Sequence, residues 1–557
     1  MSSLYKTNVD LLLIIPPSRI KHTIYPPYGA MYIASALRQK GYTPMILNVD
    51  TERINNQGVI ERVRQINPKY IGFSGIVAPS YKYIKDLSRE IKQAFPNKIQ
   101  ILGGGLTSAV EPVLQHTAIN IVVHGEGEIA IVELMDCLKS NKDLNSISGI
   151  TFKNEFSNVH TDKRETIKDL DSLPYPAFDL IDISEYLPDG IEFIRKFTTK
   201  IDKRIYNSKR KRKMITIPTS RGCFGICSFC FRANRGIRVH SMKYVFDFIE
   251  YCIEKFDVGF FTFGDECFAP NKKRNWDFIE EYKRRNLDII FRILGMRVDT
   301  VDKDILKAYK EIGCWMIEYG FESGNQKMLN IIDKRVTVEQ NRQVAILTKE
   351  AAIYTSPALV LGMPGETNKT IRESIDFLKS LNFNFKQYQM TYALPIPGSP
   401  LYDFSRLTGI VKDEDEYLSS LDGDTGRAGN FHVNLTDESD EVVAKWVTTI
   451  RDEMDEYYLY RKYKIKLLIK IMLPLQKIYI NYKKKHLWVI LKNKIKNLFN
   501  SRLKNVKKGD IQGIYPRFKK PVNINIEELL DGLDYSKINI EMSLKKINEK
   551  LLLKIGS

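Results

Sequence analysis

Three of the chain's seven cysteines fall close together, at Cys223, Cys227 and Cys230 in RGCFGICSFC, with the spacing C-x3-C-x2-C. Thiolates are soft ligands that suit zinc or iron–sulfur groups. A structural zinc site wants four ligands, often as two pairs. The other cysteines, Cys137, Cys252, Cys267 and Cys314, stand alone in the sequence and offer no second pair. Three thiolates can instead hold a [4Fe-4S] cube and leave one iron without a protein ligand, open to a substrate or cofactor. Charged residues of a second kind follow in FTFGDECF, GMRVDT and WMIEYGFESG. A carboxylate there can accept from an ammonium group, and a guanidinium can meet a carboxylate.

Positioning these groups requires strand ends. MITIPTS, VGFFTFGDE, IIFRILGMRV, WMIEYGFES, SPALVLGMPG and FKQYQMTYAL read as strands, with helical segments such as SMKYVFDFIEYCIEKF and KDILKAYKEIG between them. This alternation over 214–410 predicts a partial or complete parallel (β/α) barrel, in which loops after the strands carry chemistry. The cysteine cluster follows the first of these strands. Upstream, VDLLLIIPP, YTPMILNVD, YIGFSGIV, KIQILGGG and NIVVHGEGE alternate with helical stretches such as GAMYIASALRQKG. Residues 1–140 therefore read as a doubly wound parallel sheet, whose crevice lies beyond the carboxyl ends of its strands. Small residues collect at those ends, where backbone can approach a ligand closely or simply make tight turns. Residues 141–213 read as a linker with one hairpin, and little core-forming pattern is visible between Pro174 and Met214 beyond a short amphipathic piece. Residues 411–557 read as a mainly helical region, completing an α/β protein.

Hydrophobic residues make up 43% and charged residues 27% of the chain, as in folded globular proteins. No apolar run is long enough to cross a membrane. VDLLLIIPP lacks the flanks of a signal peptide, so the reading is a cytoplasmic protein with free cysteines. The net charge of +18 is concentrated: sixteen Lys or Arg and no Asp or Glu lie between Arg461 and Gly509, with a second basic knot, KRKRK, at 209–213.

RGCFGICSFC, with Phe229 before its third cysteine, resembles the cluster motif of radical S-adenosylmethionine enzymes. The resemblance implies that Cys223, Cys227 and Cys230 hold a [4Fe-4S] cluster whose open iron chelates S-adenosylmethionine, which one-electron reduction cleaves to a 5'-deoxyadenosyl radical. It further implies that Gly264, Asp265 and Glu266 form the turn contacting the methionine amino group, although the sequence departs from GGE and leaves open which acid faces the ligand. Glu322 and Ser323 are implied near the methionyl or ribose part, with a structural ion pair as the alternative for the glutamate. Arg297 would meet the cofactor carboxylate or serve in an ion pair. LVLGMPGET resembles the turn after strand five, where Glu366 and Thr367 could equally begin the next helix. YALPIPGSPLYD resembles the segment closing the barrel, with Leu394 packing on adenine and Pro397, Gly398 and Pro400 as support.

The first domain resembles the cobalamin-binding domain of the subfamily related to the anaerobic magnesium-protoporphyrin cyclase. Its implied contacts are Tyr25, Pro26, Pro27, Tyr28, Ser74, Gly75, Gly103, Gly104, Gly105, Gly125, Glu126 and Gly127. No DxHxxG motif is present, and His22, His116 and His124 stand in other contexts. Cobalamin is therefore expected without a protein histidine on cobalt, the alternative being a domain that has lost cobalamin altogether. No GxGxxG or P-loop follows the first strand, which argues against a nucleotide instead.

These resemblances imply a methyltransferase acting on an unactivated carbon of a small-molecule or lipid substrate with an external one-electron reductant. A radical cyclase or rearrangement enzyme is the alternative. An iron–sulfur binding or regulatory protein is the alternative of another class. The lysine-rich apolar segment 460–500 fits a helical subdomain or peripheral contact with an anionic membrane. Without a nucleic-acid-binding motif, nucleic acid is the weakest reading.

Overall fold

Apolar strand runs become two sheets. In the computed structural model, which describes residues 8–17, 24–75, 78–197, 205, 211–232, 236–383, 387–423 and 431–463, the first sheet contains β1 (Leu11–Ile15), β2 (Pro44–Asn48), β3 (Tyr70–Ser74), β4 (Ile99–Gly103), β5 (Ile121–Val123), β6 (Ile150–Lys153) and β7 (Asn158–His160). Their order is β2-β1-β3-β4-β5-β6-β7, with β1 to β5 parallel and the β6–β7 hairpin antiparallel at one edge. All five residues of β1 are buried, as a central strand covered on both faces requires. The chain turns back past β1 to reach β3, so a topological switch point lies between these two strands, where such sheets open a crevice.

The second sheet holds β8 (Lys213–Ile217), β11 (Val258–Phe263), β12 (Ile290–Met296), β13 (Cys314–Glu322), β14 (Ala358–Leu361) and β15 (Gln389–Tyr392), with β9 (Ser220–Cys223) and β10 (Gly236–Val239) forming a separate antiparallel pair. Its order, β15-β14-β13-β12-β11-β8, is sequential and parallel, the partial form of the expected barrel. Phe261, Phe263, Phe291 and Ile293 join the helix residues Phe246, Ile249 and Phe278 in the main core. On the other face, Phe260, Ile290 and Met316 meet Ile191, Phe193 and Ile194. These last belong to the helix Gly190–Arg195, within the linker where little core was legible. The contact is so close that a Cβ on Gly190 would stand 2.3 Å from the Phe260 ring. A six-residue helix shows its amphipathic character in sequence but not the partner it packs on.

Helix starts follow local chemistry: Thr337 and Thr367 each make a capping box. Thr367 is thus the cap that its sequence context allowed. Beyond the second sheet the chain forms helices Pro400–Leu407, Glu414–Leu421 and Asp440–Tyr463. Apart from Ile54–Gly58, the described residues form one unit. No helix among them is long and apolar enough to cross a membrane. His22, part of the 209–213 basic knot and the basic segment beyond 463 lie outside the described residues.

Candidate functional site

The carboxyl ends of both sheets border one cavity of about 390 Å³. Leu11 and Leu13 of β1, Gly72 to Ser74 of β3, Gly103 and Gly104, and Gly125 to Glu128 line it from the first sheet, while Pro218, Ser220 to Gly222, Arg238 and Gly264 to Glu266 line it from the second. The crevice at the switch point therefore opens onto the segment that leads into the cysteines.

On the first side the glycines divide into two kinds. A Cβ at Gly29 or Gly103 would meet no atom within 4 Å, so both leave open space. Gly104 instead has φ +91° and stands where a Cβ would come 2.7 Å from the Gly75 carbonyl oxygen. Gly75 donates its N–H to Gly103 O at 2.8 Å and accepts from Leu106 N at 2.8 Å. Gly75 and Gly104 thus knit the β3 and β4 loops, and Gly103 fronts the cavity. Tyr28 sends its hydroxyl across to Thr216 O at 2.7 Å, and a Cβ on Gly264 would lie 3.3 Å from the Tyr25 ring.

The cysteine loop is pinned at several points. Ser228 donates from its backbone to Ile332 O at 2.8 Å, and Leu401 N donates to Ser228 O at 2.9 Å. Gly225 N donates to the Cys223 sulfur at 3.3 Å, and a Cβ on Gly225 would have Cys223 Sγ and Cys227 Sγ at 3.3 and 3.8 Å. Cys227 is buried and Cys230 exposed. Among the described residues no three His, Cys, Asp or Glu side chains converge at metal-binding distance. The donor set is three thiols, which suits a thiophilic iron–sulfur group and not a hard cation.

Around this loop the charged residues are already partnered. Asp265 accepts from Thr219 N and Ser220 N, both at 2.7 Å, and from both hydroxyls at 2.9 Å. Its burial still pushes the carboxyl up to about 6, against these bonds. Glu266 is raised as well, by burial first and then by Cys223 and Asp265, and no hydrogen-bond donor offsets that rise. Between the two acids, Asp265 builds the loop before Cys223, while Glu266 lines the cavity without such bonds. Arg297 pairs with Asp299 at 2.8 Å and lies over the Phe224 ring, with its centroid 4.7 Å away. Glu322 has φ +59°, a strained conformation for a non-glycine residue costing about 1–3 kcal/mol. Its Oε1 accepts from Lys334 Nζ at 2.7 Å. Burial opposes the Lys334 charge, but Glu322 and Cys227 hold its pKa above the usual lysine value.

A family model for the radical SAM superfamily matches residues 217–378, and one for the B12-binding domain matches residues 22–135. The chain is a cobalamin-dependent radical S-adenosylmethionine enzyme. This enzyme is 26% identical to an uncharacterized methyltransferase of Pyrococcus horikoshii over 71% of its own length and 83% of the relative's. It is 28% identical to the anaerobic magnesium-protoporphyrin IX monomethyl ester cyclase of Cereibacter sphaeroides, again over 71% of its length but only 62% of the relative's. Among solved structures, it resembles the radical S-adenosylmethionine methyltransferase TsrM of Kitasatospora setae, with TM-score 0.56, 18% identity and 72% and 77% of the two chains covered. The cobalamin-dependent enzyme OxsB shares the fold likewise, with TM-score 0.56, 17% identity and coverage of 80% and 62%. The α/β architecture, the [4Fe-4S] and S-adenosylmethionine chemistry and the cobalamin domain expected from the sequence agree with these matches.

Within the enzyme several sequence candidates lie away from the cavity's lining. Ser323 is 1% exposed and faces Ser374 Oγ at 3.3 Å while accepting from Asn325 N, so its hydroxyl builds a loop. Phe229 packs with Cys227, Met328 and Val360, and Leu394 is buried. Pro26 begins the turn into the helix Tyr28–Gln39, its carbonyl accepting from Tyr28 N at 2.7 Å; Pro27 is the residue before that helix. Gly105 starts a short 3-10 turn. Gly398 has φ +84° and wedges against Ser108 and the Phe231 ring, the supporting role expected for its segment. Glu366 accepts from Gly362 N at 2.5 Å, and burial pushes its carboxyl up to about 8.

Three residues escaped the sequence reading. Lys334 follows a helix end in IIDKRVT, without any motif to mark it. Cys267, alone in sequence, is fully buried with its thiol directed to Ala269 O at 3.8 Å, and it is the first cause of the lowered Cys223 thiol pKa, ahead of Gly225, Arg297 and Lys334. Arg221 sits inside the cysteine motif, yet its partners are on the first sheet. Its NH1 donates to Glu126 Oε1 at 2.9 Å and its NH2 to Glu128 Oε1 at 2.7 Å.

Proposed function

We propose that the enzyme methylates an unactivated carbon of a small-molecule or lipid substrate. The main support for this reading is the cavity shared by the strand ends of both sheets, which gives a cobalamin face and a cluster face a common chamber. Cys223, Cys227 and Cys230 would hold the [4Fe-4S] cluster. Gly103, Gly104, Gly125 and Gly127, with Ser74 and the Tyr25–Tyr28 turn, would hold cobalamin, for which Gly29 and Gly103 leave room. When bound, these groups supply radical generation from S-adenosylmethionine and a methyl group for transfer.

The chain's own residues then orient and exclude. Glu266 is placed to accept from an ammonium group of the bound cofactor, and Arg297 and Lys334 bring positive charge near the cysteine sulfurs. Asp265 keeps Thr219 and Ser220 fixed, so the residues leading to Cys223 do not have to be reordered when a ligand arrives. Apolar side chains such as Leu11, Leu13, Ile101 and Ile131 line the cavity with surface that holds no water by hydrogen bonds. An external one-electron reductant is required.

The test is incubation of anaerobically reconstituted enzyme with methyl-labelled S-adenosylmethionine, reductant and cell extract lacking the gene. Label in a new metabolite or lipid supports methyl transfer. Deoxyadenosine formed with a changed but unlabelled product would instead favour radical cyclisation or rearrangement, the reading suggested by the similarity to the cyclase. Cleavage that persists after Cys223→Ala, Cys227→Ala or Cys230→Ala would overturn the cluster assignment.

A further inference from the structure

The hairpin that leads into the cysteines contains a charge conflict that its own sheet does not resolve. In the β9–β10 pair, Arg221 stands directly opposite Arg238. Like charges facing each other across an antiparallel pair destabilise it. The resolution comes from the first sheet. Glu126, in the loop after β5, gives Oε1 to Arg221 NH1 at 2.9 Å and Oε2 to Arg238 NH1 at 2.7 Å, bridging the two strands. The same Oε2 accepts from Ile167 N at 2.9 Å, and Arg238 also donates to Ile167 O at 2.6 Å. Glu128 takes the other branch of Arg221 at 2.7 Å, and the guanidinium lies over the Tyr32 ring with its centroid 5.0 Å away. The side chains of Glu126 and Glu128 are only 11% and 7% exposed, so water does little to screen this network. Two arginines and two carboxylates balance here, but only when both sheets contribute.

We propose that Glu126 is a positioning residue that completes the cysteine hairpin from the neighbouring sheet, so that order in the cluster loop depends on the cobalamin-side loop being in place. This rests on the reading of Cys223, Cys227 and Cys230 as cluster ligands and adds a dependence which that reading does not require. Both elements line the shared cavity, so the network also sets how far the cobalamin face stands from the loop carrying Cys223. Glu126 was a candidate cobalamin contact; with both carboxylate oxygens engaged, its role is to hold protein to protein.

Hydrogen exchange of the full chain, read by mass spectrometry on peptides covering 220–223 and 236–239, tests this without using activity. Glu126→Gln should lower protection in both strands at least tenfold while peptides from β1 and β3 stay protected, and iron bound on anaerobic reconstitution should fall. Adding Arg238→Gln to Glu126→Gln removes the facing charge and should restore most of the protection. Unchanged protection in Glu126→Gln would overturn the proposal, as would a double variant no better than the single one. Lost protection throughout the chain without recovery in the double variant would likewise overturn it by showing a general folding role. Lost hairpin protection with wild-type iron content would overturn the dependence of the cluster on this contact. Failure of the cluster reading itself is seen separately, as wild-type iron content in Cys223→Ala.

Discussion

On the first sheet the cavity is bounded mostly by glycines and apolar side chains, with open space beside Gly29 and Gly103; on the second, half of the lining residues are ionisable, namely Arg221, Arg238, Asp265 and Glu266, and the first three are tied to a neighbour by hydrogen bonds. A face of backbone and apolar walls selects by shape and tolerates a large, preformed group. A face of paired charges orients polar ends and keeps its geometry through hydrogen bonds that exist before any ligand arrives. Substitutions on the two walls should therefore fail differently: those on the first by losing a ligand with the fold intact, those on the second by stranding a charge. Gly103→Val is the sharpest test of the first half. It fills open space at a strand end without a positive φ to violate. Cobalamin affinity, followed by absorbance titration, should fall about a thousandfold, roughly 4 kcal/mol, with little change in unfolding midpoint or iron content. A matching loss of stability would break the contrast between the walls.

Lys334→Met tests the paired charges of the second sheet at a pair set back from the cavity's lining. It leaves Glu322 with its nearest cation gone, in a strained backbone position and 7% exposed. Removing one partner of a buried pair costs about 3 kcal/mol or more. Chemical denaturation should show this loss, while cobalamin affinity stays within about twofold of wild type. Unchanged stability would mean that the pair is compensated elsewhere and that the second wall is less charge-dependent than its contacts suggest.

Much of this contrast was legible in the sequence, for reasons that also explain what was not. Glycines after successive strands and three cysteines in one loop are local patterns, readable because the relevant neighbours are near in sequence. The roles of particular side chains depended on distant partners. Glu126 finds Arg221 across 95 residues and Arg238 across 112, and no local period encodes such pairings. The β9–β10 hairpin was missed because each strand has only four residues, too few for a period to be read. Asp265 and Glu266, left undivided by the motif, were separated only when the donors on Thr219 and Ser220 came within reach of one of them. Leu394 and Phe229 show the opposite limit: an apolar residue in a motif packs with whatever surrounds it, and its burial alone does not distinguish ligand contact from core.

Glu366 extends the contrast to pH. Burial pushes its carboxyl up to about 8, whereas in the unfolded chain it titrates near the usual glutamate value. Between those values the native state binds more protons than the unfolded state, so this residue makes stability fall as pH rises. The Gly362 N–H can be accepted by an amide oxygen just as well. Glu366→Gln should therefore flatten the loss of stability between about pH 5.5 and 7, a change of about 2 kcal/mol across that interval. Thermal unfolding at the two pH values measures it, and an unchanged slope would place the titrating group elsewhere.

The smallest expected effect lies at Cys267, buried behind the cavity's second side next to the first cysteine. Its thiol is the first cause of the lowered Cys223 pKa, ahead of the Gly225 N–H, Arg297 and Lys334. A donor hydrogen-bonded to a thiolate favours the charged form, so removing the donor raises the pKa of the acceptor. In the cluster-free chain, Cys267→Ala should therefore move Cys223 alkylation by iodoacetamide to higher pH and slow it about tenfold at pH 7, equivalent to about 1.4 kcal/mol lost from the thiolate. Cys267→Ser retains a hydroxyl donor and should recover part of that rate. Peptide mapping of the alkylated chain separates Cys223 from Cys227 and Cys230. If Cys267→Ala leaves the Cys223 profile unmoved, the lowering must come from the Gly225 N–H, Arg297 and Lys334, and the buried thiol would have no part in governing the first cysteine.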